Sequence, residues 1–191
     1  MRLARFVGGF CAFVGALGLG CTGVRNSFEV MSIQTGDVLE TSAGTRVYGA
    51  QDRNTADFYL TDLPESAAGA DPSTLTGTLV HVHMFLRPMA GETPIAVEAC
   101  SFTVRQAIFT GREIGIYGGG GFLTPGGDLG SARLKARFRG ATLRLIHATA
   151  AFEDRLGPSE MKGEFEAVRD DARSAAWAGL LARAMAASEK R

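Results

Sequence analysis

Over residues 75–169 the chain alternates apolar and polar side chains in five or six short segments with turn residues between them. That period of two marks strands with one wet face and one buried face. The clearest case is Arg133-Leu134-Lys135-Ala136-Arg137-Phe138-Arg139, where basic and apolar residues exchange at every step. Residues 77–86 put Val80, Val82, Met84 and Leu86 on one face and Leu79, His81, His83 and Phe85 on the other. With both faces partly apolar, this strand belongs in the centre of a sheet or under a helix. Residues 45–48 and 56–61 are further strands, the latter facing Phe58 and Leu60 to the core, and residues 63–73 form a loop over one end of the sheet. Residues 97–109, 113–117, 133–139, 143–149 and 161–168 continue the meander, with turns at Gly111, Gly140 and Gly157-Pro158. After it the period changes. Asp170-Asp171 can cap a helix, and Trp177, Leu180, Leu181, Ala184 and Met185 follow at helical spacings in an Ala-rich stretch.

These elements predict a mainly β fold, an antiparallel sandwich or barrel, with a C-terminal amphipathic helix packed on it. The expected organisation is a leader over residues 1–20, a tether and first edge strand over 21–44, the β domain over 45–169 and the helix over 170–189. At 191 residues no second domain is needed to bury a core. The 25 glycines call for many tight turns, which suits an all-β reading. A meander of about eight strands followed by a helix resembles the lipocalin architecture. The likeness is one of topology, since the Gly-x-Trp start of that family is absent and the sole tryptophan is Trp177. Twenty Lys and Arg balance twenty Asp and Glu, so no overall field draws the chain to nucleic acid.

The N-terminus reads as an export signal: Arg2 and Arg5 precede an uncharged apolar run over residues 6–24. It contains Leu17-Gly18-Leu19-Gly20-Cys21, which resembles the lipobox of bacterial lipoproteins. Gly20 fits that pattern, whereas Gly18 stands where the family carries a branched apolar residue. The resemblance implies an acylated Cys21 and a membrane partner reached through a lipid anchor. Two alternatives stay open. Gly18-x-Gly20 also suits cleavage for ordinary secretion, and the run of 19 residues can span a bilayer uncleaved with Arg2 and Arg5 inside. Each places the domain outside the cytoplasm, in the cell envelope (periplasm or outer surface) or beyond it.

Chemistry is sparse. Cys11 and Cys21 lie in the leader region, and Cys100 reads as a small buried residue sharing a strand face with Phe102 and Val104. His81 and His83 fall on one strand face about 7 Å apart, and with His147 they form a candidate site for a divalent metal, against the plainer reading of packed histidines. Apart from that metal no cofactor is expected. The basic face of Arg133, Lys135, Arg137 and Arg139 is a candidate surface for an anionic ligand, or else pairs with Glu164 and Glu166 on a later strand. Gly118 to Gly121 do not make G-x-G-x-x-G, and no G-x-S-x-G, H-E-x-x-H or C-x-x-C occurs. No catalytic set emerges. The expectation is an envelope lipoprotein with a non-enzymatic structural or binding role. The alternatives are a carrier with an apolar cavity lined by Val80, Val82, Phe102 and Phe138, or a histidine-metal protein.

Overall fold

The computed structural model describes residues 26–88 and 100–189. The expected leader, Cys21 and the expected turn around Pro94 lie outside these. The alternating segments form β1 (Ser27–Ser32), β2 (Val38–Ser42), β3 (Thr45–Ala50), β4 (Ala56–Thr61), β5 (Thr76–Met84), β6 (Phe102–Thr110), β7 (Ile114–Pro125), β8 (Arg133–Ala148) and β9 (Ser159–Arg169). Two short 3-10 turns, Glu65–Gly69 and Pro72–Thr74, fill the loop before β5, and α1 (Asp171–Ser188) follows β9. Among the described residues no helix is long and apolar enough to cross a membrane.

Hydrogen bonding runs β3-β4-β5-β6-β7-β8-β9 and then returns from β9 to β3, so these strands close into a barrel. All neighbours are antiparallel except the closing seam, a short parallel contact in which Val47 pairs with Val168 and Tyr48 with Arg169. The first half of β9 pairs instead with β1, and β2 is the outer edge. The sequence led us to expect a tether and one edge strand before residue 45. The chain makes a hairpin there, because Phe28 and Val30 alternate inward and their strand caps the part of β9 that β3 does not reach.

Gly118 to Gly121 serve the bulge and close backbone approach that a glycine run in a curved sheet suggests, whereas Gly140, expected as a turn, lies within a strand. β7 runs through the glycines with register shifts after Ile116 and Gly120, and β8 runs through Gly140 with one after Phe138. A side chain at Gly119 would collide with the Thr142 carbonyl of β8, so the glycines let two long coiled strands approach closely at a barrel corner. At Gly140 the backbone takes φ +66°, the left-handed region that suits a bulge.

Among the described residues the interior is built around a large apolar cluster. Phe28, Phe102, Phe138 and Phe165 meet with ring centroids 5.3–6.4 Å apart, and Val80 and Val82 are fully buried among them. The four residues expected to line a hollow are therefore packed together, and open space lies elsewhere. A second cluster forms outside the wall, where Trp177, Leu180, Leu181 and Ala184 of α1 cover Val47, Tyr59, Leu79, Phe109 and Ile116. Asp170 caps the helix, accepting from the Arg173 amide at 2.9 Å. This pairing explains the two apolar faces of β5: Val80, Val82 and Met84 point into the barrel, while Leu79 points at the helix side. Cys100 departs from expectation. It precedes β6, outside the alternation, and is exposed, whereas Ser101 is buried and accepts from the Leu123 amide at 3.0 Å.

Candidate functional site

One end of the barrel is cleft. Val38 and Leu39 from the β1–β2 hairpin, Ile108 from β6, Tyr117 from β7, and Phe152 and Leu156 from the loop after β8 line a space of about 710 Å³. Asp37, Glu113, Glu153 and Arg155 stand among its polar residues. An apolar hollow with a few polar groups converging on it is the usual form of a small-molecule site.

The loop that forms its roof is held at named points. Thr149 accepts from the Ile114 amide at 2.9 Å and donates to the Glu113 carboxylate, which also takes the Ala151 amide at 3.2 Å. Further on, Asp154 accepts from the Tyr117 hydroxyl at 2.5 Å and from the Gly157 amide at 2.8 Å. Burial, and then the Asp154 carboxylate, push the Tyr117 phenol well above its ordinary value, so it stays a donor. Phe152 lies on bare backbone: any side chain at Gly115 would run into its ring. That glycine is what lets the roof close down on the barrel end.

Beneath the cleft lies Gln106. It shares a strand face with Ile108 and is paired in register with Val80 on one side and Tyr117 on the other. It is fully buried, and among the described residues neither its amide nitrogen nor its amide oxygen has a hydrogen-bond partner. Leaving such a group unsatisfied costs about 1–3 kcal/mol. Native interiors carry few of them.

The histidines of β5 face outward. His81 Nε2 and His83 Nδ1 each donate to the same oxygen, Asp57 Oδ1 on neighbouring β4, at 2.8 Å, and Gln51 donates to the other carboxylate oxygen at 2.9 Å. Burial works against the Asp57 charge, but the two imidazole hydrogen bonds outweigh it and hold the carboxyl at about 2. The His81 ring stacks on Tyr59, with centroids 4.7 Å apart. Burial, followed by the Asp57 charge, raises the Tyr59 phenol to about 12. His147 belongs to another neighbourhood, with Nε2 3.6 Å from Glu189. β6 and β7 lie between its strand and β5, a separation of about 14 Å at the usual strand spacing. The structure thus joins His81 and His83 through Asp57 and does not bring His147 to them. Among the described residues no group of three or more His, Cys, Asp or Glu is arranged to hold a metal ion.

The basic face of β8 meets the acidic residues of β9. Arg137 pairs with Glu164 at 2.7 Å, while Arg133 and Lys135 lie 3.1 and 3.9 Å from Glu166. Lys162 and Glu29 extend the alternation of charge to β1 at 2.7 Å. A shallow groove of about 590 Å³ runs beside Lys135, Arg137 and Arg139. Its charge is largely internal, with a carboxylate beside each of the first two cations.

Sequence reasoning found the histidine pair and the basic strand but missed Gln106, Asp57 and the Tyr117–Asp154 bond. Gln106 carried one signal, a polar residue on the face shared by Phe102, Val104 and Ile108. Asp57 carried none, since only strand pairing sets it beside the imidazoles. Compared with protein-family models, curated proteins and solved structures, the chain matches none of them.

Proposed function

We propose that this chain is an exported binding module of the cell envelope, which takes a small, mainly apolar molecule into the cleft at the end of its barrel. The observation that carries the binding role is that cleft: an apolar lining under a roof that hangs on the Tyr117–Asp154 bond and on Phe152 against Gly115. The envelope part rests on the basic start, the apolar run and Gly20-Cys21. Acylation of Cys21 would bury about 0.8 kcal/mol per methylene in the bilayer and leave the cleft free in the aqueous phase.

Titrating the purified chain with an environment-sensitive naphthylamine dye tests the cleft. The expected result is saturable, blue-shifted emission in the parent chain and binding about tenfold weaker in Ile108→Trp, whose indole fills the space, at an unchanged melting temperature. Equal binding by the filled variant removes the assignment. The anchor is read separately, by metabolic labelling with an alkyne fatty acid: the parent chain takes up label and Cys21→Ser does not. An unlabelled parent chain in the membrane fraction would point to the uncleaved span instead.

A further inference from the structure

We infer that Gln106 is the polar end of this site and that it reads a carboxamide, or a carboxylic acid in its neutral form, at the head of the apolar ligand. The inference rests on the cleft being a binding site and adds what that site recognises.

Gln106 offers two N–H donors and a carbonyl acceptor. Among the described residues nothing around it answers either. Val104 and Ile108 flank it on its own strand face, Val80 lies across on β5, and the Tyr117 hydroxyl beside it on β7 is turned to Asp154. An apolar side chain would suit this setting better if the barrel worked empty, because every other large inward residue nearby is apolar or aromatic. The route in is set by the same neighbours. Ile108 and Tyr117, which touch Gln106 along and across the strands, are also the inner wall of the cleft, and Phe152 and Leu156 of the roof lie over them. A ligand that displaces this wall reaches the amide next.

The partner group must donate and accept side by side, since both halves of the Gln106 amide are unmatched. A carboxamide or an un-ionised carboxyl does this through two parallel hydrogen bonds, whereas a hydroxyl answers only one atom at a time. A carboxylate is disfavoured: it would bring a bare charge into an apolar interior and leave the Gln106 carbonyl without a donor.

The test uses the full chain, hexanamide, hexanoic acid and hexane as probes, and NMR titration to read affinity, with Gln106→Met as the isosteric variant lacking the amide. The expected results are that Q106M melts at the parent temperature or above, binds hexane as the parent does, and binds hexanamide about tenfold more weakly. Hexanoic acid should bind the parent chain progressively more weakly as the pH rises through the acid's own pKa, while hexanamide stays level. Equal hexanamide affinity in parent and Q106M would overturn the role of Gln106 and leave the cleft standing. Failure of both hexane and hexanamide to bind the parent chain would overturn the cleft itself. A lower melting temperature for Q106M would show that the amide is already satisfied in the empty barrel, which also overturns the proposal. Gln106→Leu repeats the affinity comparison with a second apolar side chain should Q106M fold poorly.

Discussion

Single residues in this protein act through what neighbouring strands bring to them. Asp57 shows this most directly, since two imidazoles of β5 converge on one of its oxygens and hold its carboxyl at about 2, below the ordinary 3.8. A depressed carboxyl contributes stability that is fully present above its unfolded value and is lost as the pH falls through its folded value. The expected profile is a melting temperature that drops between pH 3.8 and about 2, with about 2 kcal/mol at stake. In Asp57→Asn that acid step should vanish and the plateau at neutral pH should be lower, a comparison that thermal melts across pH settle. A parent profile flat over this window would mean the histidines do not stabilise the carboxylate. At Gly115 and Gly119 the logic is steric: one carries the Phe152 ring and the other the close approach of β8.

Among the elements, α1 and the seam between β3 and β9 bear the most on the fold. Trp177 is 1% exposed and sits in the cluster between helix and wall, so Trp177→Ala should cost about 3–5 kcal/mol through lost burial and the cavity left behind. Urea denaturation reads that cost, and a loss under about 1 kcal/mol would mean that the helix lies only loosely on the barrel. The seam has only two register pairs, and Arg46 reinforces it by donating Nε to the Glu166 carbonyl at 3.1 Å and Nη1 to the Ala43 carbonyl at 2.6 Å. Asp170 adds its amide to the Tyr48 carbonyl at 3.0 Å. Replacing Arg46 with Leu removes charge-assisted bonds worth about 1.5–3 kcal/mol each. Hydrogen exchange should then quicken at Val47, Tyr48, Val168 and Arg169 before the rest of the barrel. Uniform quickening throughout would indicate that the seam is no weaker than the other pairings.

For the whole molecule, closure into a barrel gives each strand face a different task. The interior is filled by aromatic and branched side chains over much of its length and gives way to the cleft at one end. On the outer wall α1 covers one sector, and a ladder of alternating charges on β1, β9 and β8 faces solvent in another. That ladder serves register more than affinity, since exposed pairs contribute about 0.2–1 kcal/mol each and are screened by salt. The expected pairing of the basic strand with Glu164 and Glu166 is present in the structure.

Much of this was already written in the order of residues. Strict alternation along residues 133–139 and 77–84, and helical spacing after Asp170, follow from the backbone repeat of each element, which acts over a few neighbours and so leaves a local trace. The histidine pair on β5 and the cap at Asp170 were legible for the same reason. Tertiary structure alone decided that Gly118 to Gly121 continue a strand, that β9 divides one edge between β1 and β3, that Asp57 joins His81 and His83 while His147 does not, and that an amide is buried beneath a cleft. Each of these depends on which distant strand lies alongside, a contact between residues far apart in the chain that no short-range periodicity records.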